Sequence, residues 1–169
     1  SGHIAARRHL PRHFILGQVP SHHNVSVSPN VRPHMTTVQH TAQNRIVELI
    51  QSGRAELALS LLHRHLREQP RDWYALYMSG VAFRALGRLD EAVVRLSEAI
   101  SAKNDEAPVH LALGIALQLS GKIESAIPSL LAAIKLKPDL YEAYNSLGIT
   151  YKRLGRYKEA IDTYDQGIE

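Results

Sequence analysis

The residues that could titrate, ligate a metal or attack a substrate are few and poorly arranged for chemistry. The chain of 169 residues has no cysteine, which removes disulfides, thiolate metal sites and a Cys nucleophile and leaves the redox compartment undecided. His9 and His13 have the i, i+4 spacing that sets two metal ligands on one helix face, but Pro11 between them disfavours that helix. His22 and His23 are adjacent and diverge in an extended chain, a pattern that reads as tag-like or solvated. His63 and His65 are two apart, so on a helix they face different ways, and a polar cap on the first unit explains them. Asp90, Glu91 and Glu159 fall at helix starts, where negative charge complements the positive helix end rather than forming an acid–base pair. There is no glycine-rich phosphate loop, no Gly-x-Ser-x-Gly and no paired His with a glutamate. The expectation is a chain that is not an enzyme and holds neither metal nor cofactor.

What the chain does have is a period. Ser-Gly-Arg-Ala-Glu-Leu-Ala ends at Ala58, and related heptapeptides end at Ala92, Ala126 and Ala160, each 34 residues after the last. Gly53, Gly87, Gly121 and Gly155 share one phase, between segments of helical apolar spacing, where a helix must end in a left-handed turn. The four alanines fall in the following helix, where anything larger than a methyl would hold two helices of a hairpin apart. Gly80, Gly114 and Gly148 lie mid-helix, where glycine costs roughly 1 kcal/mol against alanine, so their recurrence predicts close backbone contact. Apolar columns follow the same ruler: Leu49, Phe83, Leu117 and Tyr151; Leu62, Leu96, Leu130 and Tyr164; Leu66, Ile100, Ile134 and Ile168. A fixed period of this length signals a solenoid, whose units bury their apolar faces only by stacking.

With Pro70 and Pro138 at the ends of their units, the pattern resembles the tetratricopeptide repeat (TPR) family over residues 39–169. The last unit matches best, from Tyr144, Leu147, Gly148 and Tyr151 through Gly155, Tyr157 and Ala160 to Tyr164. The resemblance implies an all-α fold: a right-handed superhelical solenoid of antiparallel helix hairpins, in four units of about 39–72, 73–106, 107–140 and 141–169, the last incomplete. The hairpins should run over 41–52 and 54–68, 71–86 and 89–103, 106–120 and 122–135, and from 139 to a second helix over 157–169. Pro128 should kink the second helix of the third unit or mark a later start.

Residues 1–38 are a different material, read as an extended or disordered leader. It contains Pro11, Pro20, Pro29 and Pro33 and most of the histidines. An arginine-rich, acid-free start has some likeness to a transit peptide, whereas the Ser-Gly opening and the His34–Met35 junction suggest vector sequence. Asn24-Val25-Ser26 fits a glycosylation sequon, which needs a secretory context. Residues 1–47 hold five arginines and no acid, while residues 48–169 hold 15 basic against 16 acidic groups. The net +4 thus belongs to the N-terminal stretch, and near-neutral repeats argue against a nucleic-acid partner. No run of apolar residues is long enough to span a membrane. A cytoplasmic location is favoured, with the compartment otherwise unspecified.

In TPR proteins the first helices of the units line an inner wall that grips a peptide or partner segment. Projected onto that wall, Val47, Val81, Ile115 and Ile149 form a central row, with Gln43, Tyr77, Leu111 and Asn145 one turn earlier. Arg84, Gln118, Lys152 and Arg153 follow one turn later as a basic margin, and Tyr74 joins Tyr77 as an aromatic edge. Such a groove suits an amphipathic helix or an extended segment with apolar anchors and some acidic residues. The cationic clamp of chaperone-tail TPR domains is not implied, because its places carry residues such as Gln43, Val47, Met78, Pro108 and Ala112. Nor is the inner asparagine ladder of sugar-transferring enzymes, whose row reads Asn44, Met78, Ala112 and Ser146. The expectation is a protein-binding scaffold; the alternatives are the N-terminal arm of a larger enzyme, such as a bacterial transferase, and an adaptor that self-associates through its uncapped C-terminal face or its leader. Ile161, Tyr164 and Ile168 would lie on that face.

Overall fold

The recurring glycine is where each hairpin turns, and the backbone explains the residue. The computed structural model describes residues 37–168, with side chains from residue 42. In it Gly53, Gly87, Gly121 and Gly155 have φ of 77°, 73°, 81° and 73°. Space is not what selects glycine, since a Cβ at any of the four would meet nothing within 4 Å. The left-handed backbone itself does, because it crowds a Cβ against the chain's own carbonyl. Reciprocal bonds close each turn: the Gly87 N–H donates to the Arg84 carbonyl at 3.0 Å and the Arg88 N–H to the Phe83 carbonyl at 2.9 Å, with equivalents at the other three glycines. The residue after the glycine is always a cation. The Arg88 and Arg156 guanidiniums lie 4.6 and 4.5 Å from the ring centroids of Phe83 and Tyr151, so a cation–π contact seals those two turns.

Among the described residues these turns join eight helices into four hairpins: α1 (Thr37–Gln51) with α2 (Ala55–Glu68), α3 (Trp73–Ala85) with α4 (Leu89–Ala102), α5 (Ala107–Leu119) with α6 (Ile123–Leu136), and α7 (Tyr141–Arg153) with α8 (Tyr157–Gln166). Most helix ends fall within two residues of the sequence reading, and two depart further. The first helix begins at Thr37 rather than near Thr41. The last ends at Gln166, capped by Gly167, instead of running to the terminal residue. Pro128 lies inside α6, whose start at Ile123 is not delayed. The proline leaves only the exposed Glu124 carbonyl, in the first turn, without its helical donor. The leader readings, including the His9–His13 spacing, the Asn24 sequon and the His34–Met35 junction, lie outside the described residues.

Inside the hairpins the small residues are contact points. Ala58, Ala92, Ala126 and Ala160 are at most 3% exposed. A Cβ on Gly80 would come within 2.5 Å of Leu96 Cγ, and one on Gly114 within 2.6 Å of Leu130 Cγ, while Tyr164 occupies the same place over Gly148. The close approach expected at these glycines is therefore chiefly a large side chain seated on bare backbone. Asp72 caps α3, accepting from the Tyr74 and Ala75 amides at 2.9 and 3.1 Å. His65 joins that cap, its Nε2 2.7 Å from Asp72 Oδ2, and so ties the end of the first hairpin to the start of the second.

Each helix packs on its sequence neighbours. Beyond that, α1 meets α3, α3 meets α5 and α5 meets α7, whereas among the described residues no two of α2, α4, α6 and α8 bring Cα atoms within 8 Å. The odd-numbered helices are a crowded inner layer and the even-numbered ones a splayed outer layer, which is how a stack of hairpins curves. The core is a continuous strip between the layers, from Ile46 to Leu147. Among the described residues no helix is long and apolar enough to cross a membrane.

Candidate functional site

The inner layer forms the concave face, and each inner helix contributes one residue to its central row. Val47, Val81 and Ile115 are partly buried against the core, and Ile149 is 41% exposed. One turn earlier, Gln43 and Tyr77 are partly buried and Asn145 is exposed. Tyr74 and Tyr77 make the aromatic edge, their centroids 6.3 Å apart in an edge-on arrangement. Trp73, which sequence reasoning passed over, extends it, 5.7 Å from Tyr74 and with Lys103 Nζ 4.8 Å above its own ring.

Two expected groove residues are placed elsewhere. Leu111 is only 8% exposed and belongs to the core. Gln118, also 8% exposed, turns between helices: its Nε2 donates to the Ser146 carbonyl at 2.7 Å and to Thr150 Oγ1, whose own hydroxyl donates to Ser146 at 2.8 Å. The cause is the neighbour, because Ser146 and Thr150 on α7 offer the buried amide its hydrogen-bond partners. Arg153 is partly occupied too, donating from Nη1 at 3.0 Å to the Gln118 carbonyl, which also accepts the Gly121 N–H at 3.2 Å.

The basic margin that faces the groove is therefore Arg84 and Lys152, with Arg153 shared. Lys152 is exposed and Arg84 is partly buried; neither has an acid within 4.0 Å among the described residues. Burial pulls the Arg84 guanidinium below its ordinary value, with Tyr77 acting the other way. Burial likewise pushes the Tyr77 phenol up, partly offset by Arg84. The Tyr74 phenol is also raised, first by burial and then by Tyr77 and Asp72. Helices α3 and α5 contain no acidic residue at all. The arrangement is an apolar strip with an aromatic edge and cations that have no acid within 4.0 Å among the described residues.

At the far end of the stack, Tyr157 and Ile161 are 65% and 59% exposed, so α8 presents an apolar outer face, and Ile168, beyond the helix, is 84% exposed. Sequence reasoning also missed a cationic group on the outer side, formed by Arg64, Arg67, Arg71 and Arg95. Its signal was the local run from His63 to Arg71, which averaging charge over the repeats conceals.

Comparison with known proteins agrees with the geometry. Models of the tetratricopeptide repeat match residues 49–115 and 143–169, and a TPR repeat model matches 119–155. Among curated proteins no match is found. Similar solved structures include a crystal structure of MamA, with a TM-score of 0.71 and 22% identity over 76% of this chain and 75% of that one. MamA AMB-1 is similar with a TM-score of 0.64 and 24% identity, over 75% and 69% of the two chains. The MamA RS-1 ArsTM double mutant gives 0.69 and 19%, over 80% and 76%. At such identities the likeness concerns the fold. Four glycine-turned hairpins in one phase, a curved two-layer stack and repeat models covering most of it make this chain a member of the tetratricopeptide repeat family.

Proposed function

We propose that the protein is a non-catalytic scaffold whose concave face holds a segment of a partner protein. The observation that carries this reading is the row Val47, Val81, Ile115 and Ile149 along the inner helices, between the Tyr74–Tyr77 edge and the cations Arg84 and Lys152. The occupant is an amphipathic helix or an extended segment whose apolar side chains meet the row and whose acidic side chains meet the cations. A half-buried cation without a carboxylate is costly, so an acidic ligand gains from neutralising Arg84. The test is selection of peptides from a random library on the immobilised chain. Enrichment of peptides combining apolar anchors with Asp or Glu is the expected result; no enrichment, or enrichment of basic peptides, rejects the reading.

A second reading, self-association, is favoured by the exposed apolar face of α8 at Tyr157 and Ile161. It predicts a light-scattering mass that is a multiple of 18.9 kDa. A monomer at every concentration rules it out.

A further inference from the structure

Splaying of the outer layer opens a cleft between α2 and α4 on the side away from the concave face. It encloses about 530 Å³, with Leu66, Pro70 and Leu76 lining it as apolar surface. A second hollow of about 570 Å³ shares Pro70, Leu76 and Arg95 and continues along α4 past Val94, which is 54% exposed. The charged lining of the first hollow is all cationic, Arg64 and Arg67 from α2 and Arg95 from α4, with Ser60 and His63 beside them and no acid. Arg71 adds a further cation to the second hollow, whose lining also includes Glu98. Arg95 is held by Glu98 at 2.8 Å, but Arg64, Arg67 and Arg71 have no acid within 4.0 Å among the described residues.

The repeat provides its own control. One period later, His63, Arg64, Arg67 and Arg95 become Ser97, Glu98, Ser101 and Ser129. The cationic rim is thus a property of this cleft and not something the hairpin geometry requires. Unpaired guanidiniums fit carboxylates in bidentate fashion, and an apolar lining below them offers a place for an aliphatic side chain. A flat anionic bilayer would meet the rim arginines but not that recessed lining.

We propose that this cleft is a second docking site, on the outer face, for an acidic peptide segment that inserts one apolar side chain between α2 and α4. Fluorescence anisotropy with a labelled peptide Glu-Glu-Leu-Glu-Glu-Leu-Glu-Glu tests it. The measurement is made on the full chain carrying Ile149→Glu and Lys152→Glu, which removes the concave face as a competing site. Adding Arg64→Glu with Arg67→Glu is expected to weaken binding at least about tenfold, since charge-assisted hydrogen bonds are lost and the new carboxylates repel the peptide. Arg64→Gln with Arg67→Gln should give an intermediate loss, with the circular dichroism melt unchanged because both arginines are exposed. Affinity altered less than about twofold by the charge reversal overturns the proposal, on the same scale of one charge-assisted bond. So does arginine-dependent binding to phosphatidylserine vesicles in the absence of peptide binding.

Discussion

Leu130→Ala is expected to lower stability by about 2–5 kcal/mol and Gly114→Ala by about 1–3 kcal/mol, while the double variant costs less than the two added together. Leu130 is fully buried, and its Cγ and Cδ2 would lie 2.6 Å from a methyl placed on Gly114. Alone, the new methyl forces Leu130 out of its seat, and alone, truncation of Leu130 leaves a void over bare backbone. Together, the methyl enters the void, and the helix recovers the roughly 1 kcal/mol that alanine gains over glycine in a helix interior. Urea denaturation of the four proteins, followed by circular dichroism, gives the coupling. A value of about 0.5–3 kcal/mol is expected, and additivity within about 0.3–0.5 kcal/mol would show that the two residues do not meet. Because each hairpin is supported only by its neighbours, loosening the third one should also broaden the transition.

The second large effect is on binding. Ile149→Glu with Lys152→Glu should weaken a library-selected peptide by about a hundredfold in calorimetry, equivalent to about 2.8 kcal/mol. Burying an isoleucine against a partner contributes about 1.5–3 kcal/mol, and two added acids repel the ligand carboxylates. The pair is chosen because both residues are exposed and one turn apart on α7, so folding should change by no more than about 0.5 kcal/mol. Val81 and Ile115 are less suitable, since both pack against the core and a glutamate there would add a burial cost to folding. An unchanged dissociation constant would remove the concave row from the binding surface.

The sequence and the structure part where neighbours matter. The turns were legible because the left-handed glycine is a local requirement, repeated four times in one phase. The heavy side chains over Gly80, Gly114 and Gly148 were half legible: a recurring helix-interior glycine announces a close approach but not which atoms make it. Gln118 was misread for a different reason. Its place on the inner helix matches that of Arg84 and Lys152, and only the presence of Ser146 and Thr150 on the next inner helix turns it inward. Leu111 was misread likewise, as projection onto one helix cannot show how deeply the adjoining helices cover it. The outer cleft was hidden by averaging, because the arginines from Arg64 to Arg71 are offset in the charge sum by acids elsewhere in the repeats.

Amide chemical-shift mapping of the isotope-labelled chain, titrated with a selected peptide, tests most directly whether the hollow side of the stack does the binding. Perturbations are expected along the inner helices at Val47, Val81, Ile115 and Ile149, with Tyr74 and Tyr77 at the edge. Perturbations confined to α2, α4, α6 and α8, with the inner row silent, would contradict it.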